Sequence, residues 1–128
     1  MTQYSKGANA ERELVHTLFD AGFSVVRIAG SGKTSLPAPD IIALRKGRII
    51  AFECKAWNAK NLAIPVEQMR ELRQWCSRAG AEATIGWKVP HRGWFFLSPG
   101  QLHNSGKFFL ISLSDAMQRG KSLQELIG

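Results

Sequence analysis

The stretch Pro39–Lys55, reading P-D-I-I-A-L-R-K-G-R-I-I-A-F-E-C-K, limits the folds open to this chain more than any other. Asp40-Ile-Ile-Ala-Leu and Arg48-Ile-Ile-Ala-Phe-Glu-Cys-Lys are β-rich runs. Lys46-Gly47 between them offers the positive-φ residue that a tight hairpin turn needs. A two-residue turn there sets Arg45 opposite Arg48, Ala43 opposite Ile50 and Asp40 opposite Glu53. Opposed residues share a sheet face, with Cβ atoms roughly 4.5–5.5 Å apart. Side-chain alternation brings Lys55 to the Glu53 face and turns Cys54 away. Two carboxylates that close repel each other unless a cation or a proton lies between them. The hairpin therefore predicts a divalent-metal site with a lysine beside it. A solvated Glu–Lys pair is the plainer use of an E-x-K run, and Asp after the turn-forming Pro39 is a natural strand start. The opposition of Asp40 to Glu53 separates the two readings, because a purely structural sheet avoids facing like charges. A three-residue turn would shift the register by one and undo the argument.

At 128 residues the chain suits one domain, spanning 1–128. Hydrophobic residues make up 45% and charged residues 21%, the balance of a folded rather than a disordered chain. No apolar run approaches the roughly 18 residues of a membrane helix. The opening residues lack the apolar segment of a signal peptide. Two cysteines, Cys54 and Cys76, make no disulfide framework. Cytoplasmic residence without membrane contact is the expectation. The net charge is +7, from nine basic and five acidic residues in 1–64 and eight and five in 65–128, so no basic tail is set apart. A compact basic domain suits a polyanionic partner, bound more weakly as salt rises. Carboxylates clustered on such a molecule fit metal-dependent work on nucleic acid; a soluble protein that is merely basic is the plainer alternative.

Residues Lys6 to Ala21 read as a helix closed by Gly22, with Ala8, Leu14, Val15, Leu18 and Phe19 as its apolar stripe. Glu11 falls within that stripe, so it needs a partner: nearby backbone, Arg12, or a place on the hairpin as a third carboxylate. Arg12, at the edge of the face, is placed to reach phosphate. Phe23–Ile28 reads as a strand carrying Arg27. G-S-G-K-T at 30–34 resembles the tail of a phosphate-binding P-loop, but Arg27 stands where its first Gly belongs and two prolines follow in place of a helix, so no nucleotide cofactor is expected. Loop 29–39, with Ser31 and Lys33, reads as a flap approaching a phosphate backbone. Ala56–Ile64 reads as a polar connector. Pro65 opens a helix over Val66–Ala79, with Met69, Leu72, Cys76 and Ala79 buried. Trp75 at the edge of the stripe reads as core or as a subunit contact, and Gln68 either leans toward the carboxylates or, the plainer reading, is a satisfied surface amide. Ala83–Val89 reads as a half-buried strand, Trp94–Leu97 and Phe108–Ile111 as interior strands. Ser122-x-x-Glu125 is a capping box for a last short helix. The helix between the Arg48–Lys55 and Ala83–Val89 strands predicts a crossover and parallel pairing.

With P-D at 39–40 and E-C-K at 53–55, the chain resembles the PD-(D/E)XK nuclease superfamily and, within it, the archaeal-type Holliday junction resolvases. K-G-A-N-A-E-R-E-L at 6–14, V-V-R-I-A-G-S at 25–31, P-D-I-I-A at 39–43 and E-C-K carry the likeness. Weaker similarity continues through 69–80 and 93–99. The resemblance implies an α/β, restriction-endonuclease-like core, a central mixed β-sheet flanked by helices. It implies an endonuclease that resolves four-way junction DNA by Mg²⁺-dependent phosphodiester hydrolysis, with Mn²⁺ able to substitute, giving symmetric paired nicks. By position, its metal-binding carboxylates fall on Glu11, Asp40 and Glu53, its transition-state lysine on Lys55, its loop serine on Ser31 and its junction-handling arginines on Arg12 and Arg27. The family's homodimer interface points to Trp75. Two departures stand out: the Pro-containing loop at 32–39 is longer than the family commonly shows, and Cys54 replaces an aliphatic residue. A nuclease of the superfamily acting on linear duplex, in restriction or repair, and a non-catalytic DNA-binding dimer are the competing readings.

Overall fold

A computed structural model describes residues 3–28 and 36–128, with side chains from Lys6 onward. Ser31 and Lys33 lie outside the described residues. Helix α1 (Gln3–Asp20) starts three residues before the sequence reading and leads into β1 (Ser24–Arg27), β2 (Ile41–Arg45), β3 (Arg48–Ala56) and β4 (Asn61–Pro65). Helix α2 (Val66–Ala79), β5 (Glu82–Val89), β6 (Gly93–Leu97), β7 (His103–Asn104), β8 (Phe108–Ser112), α3 (Leu113–Arg119) and α4 (Leu123–Ile127) follow.

Five strands form a mixed sheet in the order β1-β2-β3-β5-β6. The β2–β3 hairpin has the expected register, with Arg45 opposite Arg48, Ala43 opposite Ile50 and Ile41 opposite Phe52. Both turn residues have positive φ, Lys46 at 48° and Gly47 at 86°, as in the hairpin turn whose twist matches its strands. β3 and β5 pair in parallel across the α2 crossover.

Each sheet face has its own core. Leu14 and Leu18 of α1 pack with Ile41, Ala43, Ile50 and Phe52. Met69, Leu72 and Cys76 of α2 pack with Ala51, Ile85 and Trp87. β5 is therefore buried on both faces from Thr84 to Trp87, not half-buried: Ile85 and Trp87 pack in the α2-side core and Gly86 lies under Trp94 and Phe96 on the other face. Gly86 at its middle is the floor for Trp94 and Phe96, stacked with ring planes 7° apart; a Cβ there would sit 3.0 Å from the Trp94 ring.

Several expectations fail at the periphery. Phe19 is 67% exposed, turned about 100° around the helix from the fully buried Leu18, and Ala79 also lies open. The supposed connector contains β4, whose alternating Leu62 and Ile64 are buried while Pro65 ends the strand and caps α2. It belongs to a second sheet, β4-β8-β7. β8 is accordingly not interior: Phe108 is exposed and Ile111 is its buried residue. β6 is an edge strand, bridged to the chain through Phe96 and Lys121. The final helix has its capping box, Ser122 and Glu125 bonding reciprocally. Helix α3 had no reading in the sequence.

Candidate active site

Where β2 begins, its ladder with β3 is continued by a side chain. The Asp40 amide donates to Phe52 O at 3.0 Å, and Asp40 Oδ2 accepts from the Cys54 amide at 2.8 Å. The Ile28 amide donates to Asp40 O at 2.9 Å, fixing the same residue from the β1 side. Asp40 is thus held by main chain on both flanks, and its carboxylate stands against that of Glu53.

Glu53 is buried on the α2 side of the sheet, the side of Ala51. Burial, then the charge of Asp40, pushes its carboxyl up to about 8, so the pair holds a proton at neutral pH. Asp40 is raised as well, by burial first, with the Cys54 amide, Lys55 and Arg27 pulling the other way. Lys55 Nζ lies 3.9 Å from Glu53 Oε2 and 5.8 Å above the Trp57 ring. Asp40, Glu53 and Lys55 therefore converge as the hairpin register requires. At 3.9 Å the lysine is not a close salt-bridge partner, and the proton shared between Glu53 and Asp40 is what relieves their repulsion.

Glu11 arrives differently. Its helix packs on the other face of the sheet, over Ile50 and Phe52. Its carboxylate accepts from Arg27 Nε at 2.9 Å, the partner that neither Arg12 nor backbone provides. Burial and the charge of Asp40 raise the Glu11 carboxyl despite that arginine, and its own charge acts on Glu53 and Cys54. Glu11 thus stands near the pair, separated from it by the pairing with Arg27. Among the described residues, no three His, Cys, Asp or Glu side chains are grouped to hold an ion by themselves. Arg12 is exposed, and burial with the surrounding carboxylates pushes the Cys54 thiol well up. Trp75 is half-buried along a groove with Leu36 and Pro37 that borders the acid-pair cleft through Pro37 and Glu71.

Of the two sequence readings of Gln68, the structure takes the less expected one. Gln68 is half-buried, not a surface amide, and it shares with Asp40, Glu53 and Glu71 a cleft of about 130 Å³. Its Oε1 is buried with no hydrogen-bond partner. The signal was present: Gln68 precedes Leu72 by four residues, so the two stack on one helix face.

A mixed sheet that brings an Asp and a Glu-x-Lys together at one end of a buried hairpin, with helices on both faces, is a nuclease-like α/β fold. The family model described as archaeal Holliday junction resolvase (hjc) matches residues 2–128, and the chain belongs to that family. It is 34% identical to the crossover junction endodeoxyribonuclease Hjc of Archaeoglobus fulgidus over 97% of this chain and 96% of that protein. The Hjc of Sulfurisphaera tokodaii is also 34% identical, over 96% of this chain and 86% of its own. The solved structure of A. fulgidus Hjc, a Holliday junction resolvase, superposes with a TM-score of 0.84 at 32% identity, covering 92% of this chain and 95% of that one.

Proposed function

We infer that this chain is an endodeoxyribonuclease that resolves four-way DNA junctions, and that it does so by divalent-metal-dependent hydrolysis at the Asp40–Glu53 pair. Family membership supports the substrate. The metal reading rests on one observation: two buried carboxylates in contact, the Glu53 carboxyl raised to about 8, with no closely bonded cation of their own. Such a pair is poised to exchange its proton for an ion. Its donors are hard oxygens, which suit Mg²⁺ with Mn²⁺ as a substitute.

When bound, the ion supplies Lewis acidity toward a phosphoryl oxygen and a more acidic water. The protein does the rest. Asp40, fixed by the Cys54 and Ile28 amides, keeps the pair rigid. Lys55, held beside Glu53 and the Trp57 ring, offsets negative charge building on the phosphate. Arg12 is open to the DNA backbone, and Arg27 either joins it there or continues to hold Glu11. Glu11 becomes a third carboxylate for the ion if that pairing opens. Ser31 and Lys33 keep their proposed role in the strand-approaching loop.

Selectivity for a branch would come from a two-fold dimer that sets two such sites against symmetry-related strands. Trp75 beside the exposed Leu36 is the apolar surface we assign to that contact. No nucleotide cofactor enters the reaction. No described helix is long and apolar enough to cross a membrane.

The test compares a four-way junction with its separate duplex arms, in Mg²⁺, in Ca²⁺ and in chelator. Paired nicks, symmetric about the branch and dependent on Mg²⁺, are expected on the junction alone. Equal cutting of the linear arms would instead favour a duplex-specific nuclease. Binding with no product under Mg²⁺ or Mn²⁺ would favour a non-catalytic module.

A further inference from the structure

Gln68 projects from the first turns of α2 into the cleft that the acid pair lines. Buried side-chain oxygens in folded proteins are nearly always bonded, because an acceptor stripped of water and given nothing in return destabilises the fold. Among the described residues, Gln68 Oε1 is the buried side-chain atom left without such a bond. An unpaired acceptor in a polar cleft awaits something electropositive. Its neighbours there, Asp40, Glu53 and Glu71, are acceptors themselves once ionised. A cation that displaces the proton of the Asp40–Glu53 pair would therefore meet both carboxylates and the orphaned amide at once.

The cleft volume of about 130 Å³ is room enough for an ion with a few waters. The charge balance points the same way. Glu11 is paired with Arg27, so the strand carboxylates that face the cleft are Asp40 and Glu53, with Glu71 of α2 also on its lining. A neutral amide adds an oxygen to this lining without adding a further repelling charge. Divalent cations that prefer hard ligands take such amide oxygens readily.

We propose that Gln68 Oε1 is a protein ligand or direct positioning contact for the divalent cation held by Asp40 and Glu53. The inference rests on the metal-dependent reading above and extends it to a residue on α2. It makes two demands at once. Removing the amide oxygen must weaken the ion, and it must not weaken the metal-free fold, which gains nothing from an unbonded atom.

The experiment titrates Mn²⁺ into the full chain without DNA, by calorimetry and electron paramagnetic resonance, for wild type, Gln68→Met, Gln68→Glu and Asp40→Asn. The thermal midpoint of each is measured in chelator. Gln68→Met keeps length and flexibility but offers a thioether, a poor ligand for hard ions. It is expected to weaken Mn²⁺ binding about tenfold or more, while its metal-free midpoint equals or exceeds that of wild type. Gln68→Glu, which retains an oxygen, is expected to bind Mn²⁺ at least as tightly as wild type. Loss of binding in Asp40→Asn with Gln68→Met unchanged would overturn the role of Gln68 and leave the metal site standing. Absence of Mn²⁺ binding by wild type would overturn both. A lowered metal-free midpoint or failure to fold in Gln68→Met would show that Gln68 holds the fold together, and would also overturn the proposal.

Discussion

β3 carries a glutamate interaction at each end, and the two ends have opposite electrostatics. At its start, Arg48 forks onto Glu82 of the neighbouring strand, with Nε at 2.7 Å and the second nitrogen at 3.1 Å. The hydrogen bonds from Arg48 hold the Glu82 carboxyl below its usual range. Toward its end, Glu53 faces Asp40, its lysine is 3.9 Å away, and its carboxyl rises to about 8. One strand thus contains, within six residues, an ion pair matched by an arginine and an acid pair held together by a proton in place of a close cation. Carboxylates that serve only the fold are placed as Glu82 is. A pair left raised and buried costs stability, and that cost is intelligible where a cation is to be bound.

The largest effect expected from breaking this contrast is on catalysis. Asp40→Asn retains an oxygen to accept the Cys54 amide and so keeps the local geometry. It removes one charge from the pair and with it the attraction for an ion. Cleavage of a four-way junction in Mg²⁺ should fall by well over about a hundredfold, more than loss of an outer partner of a metal site costs. Junction binding in a gel shift should persist, since phosphate contacts come from the basic surface. Wild-type cleavage by this variant would refute the assignment of Asp40.

The next effect is on stability against pH. Because the folded Glu53 carboxyl titrates near 8 and the unfolded one near 4.5, the folded protein binds the extra proton between those values. Its contribution is fully present below about 4.5 and is lost as pH rises to about 8, so the metal-free protein loses stability across that window. The raised Asp40 acts in the same direction. Glu53→Gln, neutral throughout, should remove most of that slope and be more stable than wild type at pH 8 in chelator, by on the order of a few kcal/mol. Urea unfolding at several pH values with and without the substitution measures it. Parallel slopes in the two proteins would mean that the acid pair is not strained.

The contrast also explains which parts of the molecule were legible in the sequence. The hairpin was readable because Lys46-Gly47 fixes a two-residue turn and a register is then arithmetic; Asp40, Glu53 and Lys55 follow from it. Helices α1 and α2 were readable from their stripes and from Gly22 and Gly80, both at positive φ. The second sheet was not, because β4 is five residues ending in Pro and its strength lies in pairing with β8, some fifty residues away in the chain. The partner of Glu11 was not readable either. Arg27 reaches it only because β1 pairs beside β2, a tertiary fact that no local spacing encodes. Gln68 stayed between two readings for the same reason: its position on the helix was clear, but the cleft it enters is completed by Asp40 and Glu53 from the sheet.

The smallest effects belong to the satisfied end of β3, and they sharpen the comparison by their modesty. Arg48 also donates to the Leu126 and Ile127 carbonyls at 2.7 and 3.2 Å, so it ties the last helix to the sheet. Arg48→Met should therefore cost about 1–3 kcal/mol, mostly through those bonds. Glu82→Gln leaves them intact and disturbs only a pair in which Glu82 is 48% exposed, where solvent screening leaves little, about 0–1 kcal/mol. Cleavage should be unchanged in Glu82→Gln. A larger loss of stability there than in Arg48→Met would mean that the ion pair, not the docking of α4, is what Arg48 provides, and urea midpoints of the two variants decide between them.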